Sequence, residues 1–167
     1  MQTLVPEVLI DKLQLEPHPE GGFYNVTHVS EQKIKNESSQ TEDQERALFT
    51  SIYFLLRSED RSHFHRLKSD ELWYYHGGSS LTVHMIGLDG SYETKKVGMD
   101  VVNGEHPQVL VPKGTIFGST VDDPETFSLV GCMVAPGFDF NDFELFSEKD
   151  LLETYPQHEK IIKYLTV

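Results

Sequence analysis

Arg61-Ser62-His63-Phe64-His65-Arg66-Leu67-Lys68-Ser69-Asp70-Glu71-Leu72-Trp73-Tyr74-Tyr75-His76-Gly77-Gly78 decides the architecture of this chain. Two runs rich in aromatic and hydrophobic residues flank Lys68-Ser69-Asp70, and a glycine pair stops the second, which is the pattern of two strands joined by a turn. Side chains two apart on a strand leave the same face. An extended Arg61 to Leu67 therefore sends His63 and His65 into one pocket, and the returning strand can bring Glu71 beside them. Trp73 and Tyr75 share the face of Glu71 and are candidates for the pocket wall, where a ring can stack on a ligand; plain core packing is the competing reading.

The same signals extend in both directions. Ala47 to Leu56 is a continuous β-prone run, and Leu81 to Ile86 meets Asp89-Gly90, a hairpin dipeptide, before Ser91 to Val97 returns. Gln108 to Val111 ends at Pro112-Lys113-Gly114, and Phe127 to Ala135 ends at Pro136-Gly137. Short strands at this spacing predict an antiparallel sandwich or barrel. Upstream, Val5 to Leu13 has helical spacing with Thr3 as its cap and Pro6 in the first turn, and Phe23 to Val29 reads as a strand. Glu31 to Arg46 is almost entirely polar and is expected to be an exposed loop inserted in one domain, partly disordered. Ser147-Glu148-Lys149-Asp150 opens a C-terminal helical segment, 147–167, with a last helix over Gln157 to Leu165. Residues 1–167 thus read as a single all-β domain with short peripheral helices at both ends.

A chain of 167 residues with 38% hydrophobic side chains can bury a full core. Its 27 acidic against 14 basic residues leave a formal charge of -13, which disfavours nucleic acid and anionic membrane partners. The single cysteine, Cys132, has no internal disulfide partner and sits in an apolar run, where a buried thiol is expected. Residues 1 to 15 lack a basic start followed by an apolar stretch, and no window resembles a membrane span. A soluble cytoplasmic protein is the expectation.

Taken in order, these pieces resemble the cupin superfamily, whose domain is a jelly-roll barrel, a double-stranded β-helix, with two motifs on facing strands. His63-Phe64-His65, Glu71 and Gly77-Gly78 match the first motif, with the gap from histidine to glutamate one residue longer than the commonest form. The second is partly present: Gly104 precedes Pro112-Lys113-Gly114-Thr115-Ile116, but Phe117 stands where many cupins place their last metal histidine. A narrower resemblance is to the DUF985 (cupin 5) subfamily. It rests on Pro17-His18-Pro19-Glu20-Gly21-Gly22-Phe23-Tyr24, on Phe64-His65-Arg66 with Asp70-Glu71-Leu72-Trp73, and on Val134-Ala135-Pro136-Gly137-Phe138-Asp139-Phe140 with Asp142-Phe143-Glu144. The resemblance implies a small-molecule pocket inside the barrel, a homodimer, and no settled reaction. Tyr74 and His76 stand where relatives often have His and Tyr.

Three chemistries stay open for the centre. His63, His65 and Glu71 form a candidate set for a divalent metal (Zn, Fe, Mn or Ni) with open coordination positions, the basis of a metal-dependent dioxygenase reading. Without metal, His65, Glu71 and His63 are candidate acid–base residues for an isomerase or epimerase acting on a carbohydrate-like molecule. A non-catalytic module that binds a small polar ligand is the alternative. Glu20 and Phe117 complete the candidate pocket with Trp73 and Tyr75, although a hydrogen bond that steadies the turn explains Glu20 equally well. His18, His28, His84, His106 and His158 lie outside the motif and are read as loop, surface or core histidines. The alternating Phe138 to Glu144 segment can seal a barrel mouth or simply pack at an edge, and Arg66 is expected to be a structural ion-pair partner.

Overall fold

The computed structural model describes residues 4–36 and 45–167. The chain opens with α1 (Pro6–Lys12), followed by β1 (Glu16–Pro17), β2 (Phe23–Val29), β3 (Lys33–Lys35), β4 (Glu45–Ala47) and β5 (Thr50–Arg57). The central strands are β6 (Ser62–Arg66), β7 (Asp70–Gly78), β8 (Leu81–Ile86) and β9 (Tyr92–Val97). After them come β10 (Glu105–His106), β11 (Gln108–Val111), β12 (Ile116–Val121), β13 (Phe127–Ala135) and β14 (Glu144–Leu145). Two helices close the chain, α2 (Glu148–Thr154) and α3 (Glu159–Tyr164).

Two six-stranded sheets form the body, ordered β1-β2-β5-β13-β7-β11 and β10-β9-β8-β12-β6-β14. From β5 to β8 and from β11 to β13, consecutive strands alternate between the sheets, which is the winding of a jelly roll. Between the sheets lies the main core, with Phe54, Leu56, Trp73, Leu81, Val83, Met85, Phe117, Val130 and Val134. Alternation along β13 explains part of it, since Val130, Cys132 and Val134 face inward. The outer faces are covered separately. Leu9, Ile10 and Leu13, in and just after α1, pack with Leu15, Leu55 and Phe127. The C-terminal helices bring Leu151, Ile162 and Leu165 onto Phe64, Ile86 and Ile116.

Three local expectations change. The first helix begins at Pro6 with Val5 in the cap position and no side-chain cap; Thr3 lies outside the described residues. The polar stretch from Glu31 to Arg46 is not simply an exposed loop, because β3 and β4 pair as an antiparallel ribbon. Arg46 is buried there and donates from Nε and Nη2 to the Asp142 carboxylate at 2.8 and 3.1 Å; residues 37–44 of that stretch lie outside the described residues. Finally, β12 is a central strand that hydrophobic patterning does not announce, because Gly118 and Ser119 interrupt it. A Cβ at Gly118 would stand 2.5 Å from the Ser62 carbonyl oxygen, so the close approach of β12 to β6 requires the residue that weakens the pattern.

Candidate functional site

A cavity of about 210 Å³ opens among β2, β5, β13 and the 136–144 segment. Tyr24, Val26 and Val29 line it from β2, Thr50 and Ile52 from β5, Cys132 and Val134 from β13, and Phe138 and Phe140 from the segment that follows. Val29 and Phe140 are 60% and 51% exposed and mark the mouth. His18, Glu20, His65 and Glu71 gather as its polar residues.

Two register shifts build this arrangement. On β2 the ladder to β5 slips between Val26 and His28, so Val26 and Val29, three residues apart, both reach the cavity. On β6, Phe117 pairs with His65 but Ser119 pairs with Ser62, leaving one extra residue in between. The slip reverses the alternation, so Ser62 and His65 reach Glu20 together while Phe64 packs outward under the C-terminal helices. The shared face expected for His63 and His65 is thereby broken. His63 does not line the cavity; its backbone N–H and its Nδ1–H both donate to the Glu20 carbonyl at 2.7 Å.

Glu20 is the hub of the cluster. It is delivered by a tight turn in which Gly21 N–H donates to the His18 carbonyl and His18 N–H donates to the Gly22 carbonyl. Gly21 has φ +106°, and a Cβ there would fall 1.9 Å from the Arg61 carbonyl oxygen, so only glycine lets the turn press against the start of β6. Glu20 is 7% exposed; its Oε1 accepts from the Ser62 hydroxyl at 3.0 Å, and its Oε2 meets His65 Nε2 at 2.9 Å. His65 Nδ1–H donates to the His63 carbonyl at 2.7 Å, which fixes the ring. Phe117 and Phe143 flank that ring at centroid distances of 4.1 and 5.4 Å. His18 Nδ1 accepts from the Glu20 backbone N–H at 3.1 Å.

These contacts divide the protonation states. Burial works against the Glu20 carboxylate, but the His65 charge and hydrogen bond outweigh it and hold its pKa below the usual value. Burial likewise works against charge on His65, and the Glu20 carboxylate reverses the balance, raising the imidazole pKa. His18 is lowered, chiefly by burial. Glu71, 7% exposed, is pushed up to about 8, by burial first and then by the Glu20 charge, with His65 opposing. Its Oε2 has no hydrogen-bond partner within 3.5 Å, and the Cys132 thiol and the Trp73 indole N–H are its polar neighbours. Burial also raises the Cys132 thiol well above its ordinary value. Near neutral pH the cavity therefore holds one ionised carboxylate, Glu20, and one protonated carboxyl, Glu71.

The other expected pocket residues stand around this centre. Trp73 and Phe117 lie in the core behind the wall and do not line the cavity. Tyr75 packs against that core, and its hydroxyl donates to the Gly78 carbonyl at 2.6 Å. His18, read from sequence as an unremarkable histidine, lines the cavity, and so does Cys132. Its spacing of two residues from Glu20 within Pro17-His18-Pro19-Glu20 was the available signal. Arg66 pairs with Glu144 at 2.7 Å, as an ion-pair role requires. The donors do not suit a resident metal: His63 is turned to a backbone carbonyl and His65 Nε2 is engaged by Glu20. Among the described residues no three His, Cys, Asp or Glu side chains are arranged to hold one. No helix among those residues is long and apolar enough to cross a membrane.

Comparison with known proteins agrees with this architecture. Residues 7–146 match the model of the family described as Cupin superfamily (DUF985). An uncharacterized protein of Saccharomyces cerevisiae is 32% identical over 162 residues, covering 91% of this chain and 80% of its own. A crystal structure of a Shewanella oneidensis protein is 50% identical, with a TM-score of 0.89 over 100% of this chain and 99% of that one. A hypothetical protein from Leishmania major has 44% identity and a TM-score of 0.91, covering 98% and 99%. Bacillus subtilis oxalate decarboxylase shares the fold alone, at 13% identity and a TM-score of 0.55 over 90% of this chain and 37% of that one. With a jelly roll of two six-stranded sheets, a family match over most of its length and the cavity between its strands, the chain belongs to the DUF985 family of the cupin superfamily.

Proposed function

We propose that this protein is an acid–base isomerase or epimerase that moves a proton next to a carbonyl group in a small molecule bound in the barrel. The observation that carries the reading is two buried carboxyl groups facing one cavity in opposite surroundings, Glu20 bonded to His65 and Ser62 and Glu71 with no cation beside it but His65. Pairs of titratable groups whose surroundings separate their pKa values mark acid and base roles. Glu20, ionised and steadied by His65 and Ser62, takes the proton from the carbon beside the carbonyl, and the Glu71 carboxyl gives its proton to the carbonyl oxygen. Glu20 becomes neutral and Glu71 becomes a carboxylate; isomerisation follows when Glu20 returns its proton to the former carbonyl carbon while Glu71 takes the proton of a neighbouring hydroxyl, epimerisation when the enol is reprotonated on its other face, and simple reversal gives exchange alone. His65 serves as a positioning residue that holds Glu20 ionised. No metal is needed for these steps, and the dioxygenase reading lacks its ligand set because His63 stands outside the cavity.

The test is hydrogen exchange. The protein, incubated in deuterated water with a panel of small aldehydes and ketones, is expected to catalyse exchange of the α-proton, followed by NMR. Glu20→Gln and Glu71→Gln should each lower the exchange rate by about 10²-fold or more, the usual scale of general acid–base catalysis. Specific binding with no exchange for any member of the panel would make the protein a ligand-binding module instead.

A further inference from the structure

The walls of the cavity say more about the ligand than its acid–base pair does. Val26, Val29, Ile52, Leu67, Val134 and Phe138 make most of the lining aliphatic or aromatic, while its ionisable side chains are two carboxyls, two imidazoles, a phenol and a thiol. No lysine or arginine lines it among the described residues, and residues 37–44 contain neither. The cations near the rim already have partners: Arg46 and Lys68 face Asp142, at 2.8 and 3.9 Å, and Arg66 faces Glu144. His65 is compensated by Glu20. An entering carboxylate or phosphate would meet two carboxyl groups and no free positive charge, and burying an unpaired charge is strongly unfavourable.

Polyhydroxylated ligands face a milder version of the same cost. Each hydroxyl pressed against aliphatic wall without a partner loses roughly 1–3 kcal/mol. Ser62 lies outside the lining and is spent on Glu20, and the Thr50 hydroxyl accepts from the Phe138 backbone N–H at 2.9 Å, which leaves it one O–H to donate. The groups left for a ligand are few: the Glu71 carboxyl, which can serve one carbonyl oxygen, the Tyr24 hydroxyl and His18 Nε2. At about 210 Å³ the space is also below the roughly 300–1,000 Å³ of sites for drug-sized ligands.

We infer that the cavity takes a compact, uncharged carbonyl compound with a branched aliphatic body and discriminates against carboxylates, phosphates and sugars. This ligand class replaces the carbohydrate-like one expected from sequence. Its carbonyl rests on the acid–base reading of Glu20 and Glu71, and the rest of it on the walls. The experiment measures binding by NMR titration with methyl isopropyl ketone, α-ketoisovalerate (the same body with a carboxylate), dihydroxyacetone and dihydroxyacetone phosphate. The ketone should bind at least about tenfold more tightly than each of the others, a gap of roughly 1.4 kcal/mol, with intermolecular NOEs to methyl groups of Val26, Ile52 and Val134. Glu71→Leu should weaken it by removing the carboxyl that meets the carbonyl oxygen. Equal or tighter binding of the anions or the triose, or a ketone with no contact to those methyls, overturns the inference. Exchange of the α-proton is read in the same samples: a ketone that binds there without exchange supports the ligand class and refutes the catalytic reading. Exchange of the triose with no binding of the ketone does the reverse.

Discussion

Replacing Glu71 by glutamine tests the electrostatics on which the site depends. In the unfolded chain this carboxyl ionises near its ordinary value of 4.5, whereas in the folded protein burial and the Glu20 charge push it up to about 8. Between those two values the folded state keeps a proton that the unfolded state has released. Stability from this group is therefore fully present below about pH 4.5 and is lost as pH rises through 8, at about 1.36 kcal/mol per pH unit. Integrated over the window, the loss approaches 5 kcal/mol. Glutamine has nearly the same shape and does not titrate. Urea denaturation of both proteins from pH 5 to pH 9 should show the stability of Glu71→Gln rising relative to the parent by several kcal/mol. For a chain of this length that corresponds to a gap in Tm widening by on the order of 10 °C. The other titrating groups are common to both proteins, so the difference reports Glu71 and its coupling to His65 and Cys132. Curves that stay parallel across this range would refute the assignment of Glu71 as a buried, protonated carboxyl.

Glu20→Gln removes the charge that helps hold the Glu71 proton, so the Glu71 titration followed by carboxyl-carbon NMR should move to lower pH; an unchanged midpoint would mean the two groups do not sense one another. Gly21→Ala places a Cβ 1.9 Å from the Arg61 carbonyl oxygen at a φ of +106°, and should cost about 3 kcal/mol or more in chemical denaturation. Gly77→Ala, where a Cβ meets nothing within 4 Å, is the control and should cost within about 1 kcal/mol. Arg46→Ala takes the close partner from the Asp142 carboxylate, whose side chain is 8% exposed, leaving it only Lys68 at 3.9 Å, and should destabilise by up to roughly 3–5 kcal/mol. Arg46→Met combined with Asp142→Leu should recover much of that loss, and a double variant as unstable as the single one would argue against a buried ion pair as the cause.

The Arg46–Asp142 pair also shows why the inserted stretch reads poorly from sequence. Glu31 to Arg46 is almost entirely polar, and patterning counts polar residues as solvated, yet Arg46 is buried because a partner about a hundred positions later reaches it. Strands with clean apolar alternation were legible: Phe23–Val29, Leu81–Ile86, Gln108–Val111 and Phe127–Ala135 lie where their patterns end in turn residues. β12 was not, since the glycine that allows its close approach to β6 also removes the signal.

Local sequence was enough to determine a β-rich domain and the two strands carrying His65 and Glu71, because alternation and turn chemistry act over a few residues; it did not show that these strands, expected to pair, lie in opposite sheets and face one another across the core. Tertiary structure decided which groups meet there. A one-residue register slip on β6 turned His63 away and brought Ser62 and His65 to Glu20, and a slip of this kind reverses side-chain facing without leaving a mark in the pattern. The protonation of Glu71 was likewise beyond local reading, since it arises from burial and from a carboxylate 51 positions earlier in the chain, placed beside it only by the fold.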